Sequence, residues 1–242
     1  MRVRVVVVVG LLVLSSGCEL VDPAERAYLV GLRAEKGEAT ADPLASYDRA
    51  IALKPGEARY YEARAGLRAR RGQPALALLD YTQALALLAP GDVAHRPALL
   101  RARAECLSTL GDPAAALRDV DEGLAIRADE PQLLAGRALA LLVAGRAAEA
   151  LAAIDRAIAA APRFQPLRYQ RGVVLARLGR RAEAVAQFAA TVGVTCAGAG
   201  GGERALTFDG ERQLRRVAGE PLVPLFLRGY SDSDDPRLRC AP

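Results

Sequence analysis

Apolar positions recur along the middle of this chain with a period of 34 residues. Placing the segments that begin at Pro97, Pro131 and Gln165 beneath one another brings Val120, Ile154 and Phe188 into one large apolar column. Small residues fill other columns: Ala104, Ala138 and Gly172; Ala116, Ala150 and Ala184; Gly123, Ala157 and Thr191. Gly111, Gly145 and Gly179 coincide as well. A fourth segment, from Ala58, adds Ala65, Gly72, Ala77, Tyr81 and Ala84 to the same columns. It stands 39 residues before the next one, so five residues near Asp92–Arg96 read as an insertion. A weaker fifth segment from Ala24, again 34 residues earlier, supplies Gly31, Tyr47, Ala50 and Pro55.

Composition changes how much weight each column carries. Alanine accounts for 50 of the 242 residues, so coincident alanines are partly expected. The glycine column, the large apolar column and the constant spacing do not follow from composition. Together they resemble the tetratricopeptide repeat (TPR), which has this period. The resemblance covers residues 24–196 and implies an all-α, right-handed solenoid of about five repeats: 24–57 (degenerate), 58–91, 97–130, 131–164 and 165–196. Each repeat would be two antiparallel helices. Ala138, Ala150 and Ala157 would let the helices approach closely, and Ile154 would fill the core between repeats. Gly145 would end the first helix through positive φ, and Pro162 would end the second. No repeat buries its apolar face alone, so stacking creates one continuous core. In the first repeat Asp42-Pro43 reads as an N-cap followed by proline at the first helical position. A shortened second helix over 43–53 is therefore expected.

The pattern is different at both ends. Residues 1–17 carry Arg2 and Arg4, an apolar run from Val5 to Leu14, and small residues up to Gly17. That is the layout of a secretory signal, and the run is too short to span a bilayer. Leu14-Ser15-Ser16-Gly17-Cys18 resembles the lipobox of bacterial lipoproteins. Ser15 stands where Leu is commonest. The resemblance implies lipidation of Cys18, a tether over 18–23, and durable anchoring through several acyl chains. Glu19 in place of Asp points, by the sorting rule of enteric bacteria, to an outer-membrane protein facing the periplasm. After Cys196 the repeat stops, and residues 197–242 read as a Gly-rich linker and a short, mostly irregular tail. A short helix near 211–217 is expected there, covering the open end of the last repeat.

Charge adds little. The formal net charge of +5 falls to +3 once Arg2 and Arg4 are removed. Arginine outnumbers lysine 31 to 2 without forming a basic cluster, so nucleic-acid binding is not expected. A basic-surface binder of nucleic acid or anionic lipid is the alternative of another class. Candidate chemistry is sparse. His95, the one histidine, lies in the insertion and reads as a solvated loop residue. Gly200-Gly201-Gly202 has no preceding strand and reads as a linker. The acidic run Ser231–Asp235 lacks the glycine and distal glutamate of a calcium loop. No cofactor, metal site or small-molecule substrate is expected, and 40-odd tail residues are too few for a catalytic domain. Cys106, inside a first helix, is expected to be a buried, inert thiol. Cys196 and Cys240, both accessible in an oxidising compartment, are expected to form a disulfide.

The TPR resemblance implies a concave groove lined by the first helix of each repeat, where peptides or helices of partner proteins bind. The matching positions are Tyr28, Leu32, Arg59, Glu62, Arg70, Arg101, Glu105, Leu139, Leu142, Tyr169, Val173 and Arg177. The family's carboxylate clamp is absent, because its positions hold Glu62, Gly66, Arg101 and Glu105. Leu139, Leu142, Val143 and Val173 in the later repeats favour an apolar or amphipathic ligand. The expected function is a membrane-tethered scaffold or adaptor for protein partners in the cell envelope. A pilotin-like or secretion-assembly accessory is the alternative within that class.

Overall fold

The computed structural model describes residues 22–192, with side chains as far as Phe188, together with Leu222 and Phe226. Over residues 22–192, ten α-helices follow one another: α1 (Pro23–Glu35), α2 (Pro43–Leu53), α3 (Ala58–Arg70), α4 (Pro74–Leu87), α5 (Arg96–Thr109), α6 (Pro113–Ile126), α7 (Pro131–Val143), α8 (Ala147–Ala160), α9 (Pro166–Arg177) and α10 (Arg181–Val192). They pack as five consecutive pairs, α1 with α2 through α9 with α10. First helices also meet across repeat boundaries, α5 on α7 most closely, and no comparable packing joins the second helices. The first helices therefore form a shared inner layer.

Local sequence accounts for where the helices begin and end. Proline opens α1, α2, α4, α6, α7 and α9, where its missing N–H costs nothing. Asp22, Asp42 and Asp112 cap three of them: the Asp112 side chain accepts from the Ala115 N–H at 2.9 Å. The second helix of the first repeat is the short one, Pro43–Leu53, and Asp42 accepts from the Leu44 and Ala45 N–H groups. Each pair turns at a glycine of positive φ, between 72° and 82°. At Gly145 the following Arg146 N–H reaches back to the Leu141 carbonyl at 2.8 Å, satisfying an end that water would otherwise have to solvate. The first repeat departs from the columns here. Its turning residue is Gly37, 35 residues before Gly72, so its first helix lies one residue early and a longer loop leads to Asp42.

The core is a succession of small-against-large contacts. Ala138, Ala150, Ile154 and Ala157 are all fully buried, as are Ala65, Ala77 and Ala84. Where the small residue is glycine, its neighbour takes up the space. A Cβ on Gly31 would stand 2.5 Å from Tyr47 Cε1, and one on Gly123 would stand 2.8 Å from a Leu133 methyl of the next repeat. A methyl group at either place would overlap atoms already present, so these glycines set how closely the helices approach.

A second periodic feature holds the helices together. Arg64, Arg103, Arg137 and Arg171 share one column, and each reaches an aspartate 16 residues away. Arg64 and Arg103 fork onto Asp80 and Asp119 of their own repeat's second helix. Arg64, Arg137 and Arg171 also reach back to Asp48, Asp121 and Asp155 of the preceding repeat. Asp80 is nearly buried and receives Arg68 as well, at 2.7 Å. Burial alone would lower the Arg64 pKa, but the hydrogen bonds it donates to Asp80 and Asp48 outweigh it and leave the guanidinium more firmly charged than usual.

The insertion is fastened at both ends. Asp92 accepts from the Ala94 and His95 N–H groups at 3.0 and 2.8 Å. Arg127, at the end of α6, donates to the carbonyls of Val93 and Ala94. His95 itself is mostly exposed beside Asp92.

Candidate functional site: the first-helix face

The first-helix face differs between the two ends of the chain. From α1 to α5 it is polar and reaches solvent. Arg59 and Arg70 are exposed, and Tyr28, Leu32, Arg101 and Glu105 are half-buried. Its best-organised part is a cluster between the first two repeats. The Tyr28 ring lies 5.1 Å from Tyr60 and 6.0 Å from Tyr47. Arg59 sits over Tyr28 and Tyr60, 5.4 and 5.2 Å from the ring centres, where a cation is attracted to the aromatic face. Glu25 completes it, accepting two bonds from Arg59 at 3.2 and 2.6 Å and one from the Tyr60 hydroxyl at 3.1 Å. Arg70 pairs with Glu35, which also accepts the Tyr47 hydroxyl, and Arg101 pairs with Glu105 one turn along α5.

Glu62 lies in the middle of this face and has no ion-pair partner among the described residues. The residue is exposed, yet the protein packed around it raises its carboxyl above the ordinary value, and His95 acts in the other direction. Cations are thus mostly matched on this face, while one carboxylate is left for a ligand to meet.

From α7 to α9 the arrangement is different. Leu139, Leu142 and Val173 are buried, at 0%, 6% and 0% exposure, so they do not present the open apolar floor that the sequence suggested. They belong to one continuous core with Phe188 and, from the chain's last stretch, Phe226. Leu222 packs against the same cluster. Both residues adopt helical backbone conformation. The physical reason is the end of the described repeats: an apolar inner face with no following repeat among the described residues has to be covered. Tyr169 is half-buried with its ring 5.3 Å from Phe188, and Arg177 is exposed. Gln170, which the columns did not single out, is fully buried, and its Nε2 donates to the Phe226 carbonyl at 3.4 Å.

Cys106 is buried as expected, and burial, with a smaller push from Glu105, raises its thiol to about 12. Among the described residues no three His, Cys, Asp or Glu side chains come together as metal ligands, and no helix is long and apolar enough to cross a membrane. A cleft of about 480 Å³ lies beside the insertion, between Val93, Arg96, Glu122 and Ile126. Cys18, Cys196, Cys240 and the helix expected near 211–217 lie outside the described residues.

Comparison with solved structures decides the architecture. The chain is similar to YrrB, described as a TPR protein with an unusual peptide-binding site, at 19% identity over 72% of this chain and 87% of that one, with a TM-score of 0.52. It is similar to TTC0263, a thermophilic TPR protein of Thermus thermophilus, at 17% identity, over 81% and 98% of the two chains, with a TM-score of 0.58. The fold is a TPR solenoid. PilW, described as a widely conserved type IV pilus biogenesis factor, shares it at 17% identity over 70% and 78%, with a TM-score of 0.59. No family model matches the TPR chain described here, and no curated protein does.

Proposed function

We propose that this TPR chain is a non-enzymatic scaffold, anchored to a bacterial envelope membrane through lipid on Cys18, that holds segments of partner proteins against its first helices. The observation that carries the reading is the solvent-accessible face of α1, α3 and α5, on which Arg59, Arg70 and Arg101 are already paired and Glu62 is not. Such a face is pre-organised, so a partner that binds it orders few side chains. Glu62 favours a segment that brings a basic residue to the middle of the face. The lipobox supports the tether and an outer-membrane location facing the periplasm. A disulfide between Cys196 and Cys240 would suit the same compartment. A narrower reading, an accessory for building a pilus or secretion machine, draws on the likeness to PilW.

Cross-linking in living cells, followed by mass spectrometry, tests the proposal with wild type and Cys18→Ser. The wild type should be found in the membrane fraction, linked to a small set of envelope proteins. Cys18→Ser should be unprocessed or misplaced and should lose that set. Normal membrane retention and an unchanged partner set in Cys18→Ser would remove the tether from the account.

A further inference from the structure

Tyr81 carries a polar group that nothing among the described residues uses. It stands in the column of Val120, Ile154 and Phe188, whose side chains end in carbon. Its ring belongs to the buried cluster that holds Ala65 and Cys106, and the residue is 6% exposed. Its hydroxyl has no hydrogen-bond partner among the described residues, whereas the Tyr47 hydroxyl of the first repeat donates to Glu35. Burial holds the Tyr81 hydroxyl protonated well above its ordinary range, and the charges of Glu105 and Glu62 push the same way.

Gly66 opens a way to that hydroxyl. A Cβ on Gly66 would stand 3.7 Å from the Tyr81 hydroxyl and 3.4 Å from Arg70 Nη1. Glu105, Leu139 and Val173 fill the same column in the later repeats, so α3 has a notch where those helices carry a side chain. Gly66 is only half-buried, so the notch meets the surface. Glu62 lies one turn earlier on the same side of α3. The cations beside the notch are already matched, Arg70 by Glu35 and Arg101 by Glu105, and the charge left over is that of Glu62.

A hydroxyl buried without a partner costs free energy that a ligand able to donate would recover. A carboxylate and a hydroxyl oxygen together call for a cation with several donors on one atom. The lysine ammonium has three, on a slender stem. We infer that the notch at Gly66 receives a lysine side chain of the bound segment, its ammonium donating to the Glu62 carboxylate and to the Tyr81 hydroxyl oxygen. The inference rests on the reading of the first-helix face as a binder of protein segments. It makes a lysine-bearing segment the partner class and places the contact that fixes its position on α3.

The test uses the full-length chain with isotopically labelled tyrosine rings. Tyr81 is recognised among the seven tyrosines by the signal missing from Tyr81→Phe. The probe is the peptide acetyl-Ala-Lys-Ala-amide, and its counterpart carries norleucine, which keeps the stem and lacks the ammonium. The lysine peptide should move the Tyr81 signal saturably and the norleucine peptide should not. Glu62→Gln should weaken that binding about threefold or more. Gly66→Ala fills the notch at ordinary contact distances, so it should melt no lower than wild type and lose the shift. Equal shifts from the two peptides, no shift from either, or an undiminished shift in Gly66→Ala overturns the inference. Cross-linking from the first-helix face in cells does not require lysine, so such a failure leaves the scaffold reading standing. If the peptide binds as described while cells yield no cross-links from the face, the lysine site stands and the scaffold reading falls.

Discussion

A Cβ placed on Gly172 would stand 2.5 Å from Cε1 of Phe188, closer than any real contact allows. The two residues lie 16 apart, on the paired helices of the last repeat, as Gly31 and Tyr47 do in the first. Both aromatic rings are fully buried, so neither has free space to retreat into. Helix propensity would favour alanine at a helical glycine by about 1 kcal/mol. Overpacking opposes it and should win.

Gly172→Ala should therefore destabilise the protein by about 1–3 kcal/mol, read from urea unfolding. Gly136→Ala is the internal control. Its Cβ would meet only Val120 and Arg101 side-chain carbons at 3.5 and 3.7 Å, ordinary contact distances, so propensity should make it neutral or stabilising. Equal effects at the two positions would mean that the small-against-large register is misplaced.

The arginine column makes a separate prediction. Asp80 holds Arg64 and Arg68 together and is only 4% exposed. Asp80→Ala would leave two half-buried guanidinium groups facing one another, at a cost of about 3–5 kcal/mol. Glu149, which pairs with Arg146 at the exposed start of α8, should change the melting curve little when replaced by alanine. A mild effect at Asp80 would show that the aspartates are solvated extras rather than ties between helices.

Cys106 should be silent to thiol reagents while the protein is folded. Its thiol stays protonated until pH approaches about 12, because burial disfavours the thiolate. Since the folded value lies above the unfolded one, the stability it contributes is complete below the ordinary thiol pKa and declines as pH rises past it. Alkylation at pH 8 should proceed only through unfolding, and so accelerate in step with added denaturant. Rapid alkylation of Cys106 in native buffer would contradict its burial.

How much of this was legible in the sequence differs from one feature to the next. The period, the turning glycines and the shortened Pro43–Leu53 helix were legible because each depends on local backbone chemistry: a positive φ, a missing N–H, a capping carboxylate. The Arg64, Arg103, Arg137 and Arg171 column is equally periodic but does not stand out, because arginine is abundant and its aspartate partners fall in two different columns. The burial of Leu139, Leu142 and Val173 was not legible. The columns describe neighbours one repeat away, whereas Phe226 reaches Gln170 across 56 residues of sequence. Nothing in a 34-residue pattern says whether an apolar inner face is open or already covered.

The central claim is that partners bind on the first-helix face, and site-specific photo-cross-linking tests it most directly. A photoreactive residue replaces Glu62 on that face in one strain and Leu79, which is 66% exposed on the second helix α4, in another. The account predicts discrete, reproducible cross-linked species from position 62 and none of them from position 79. The same species from both positions, or from position 79 alone, would contradict it.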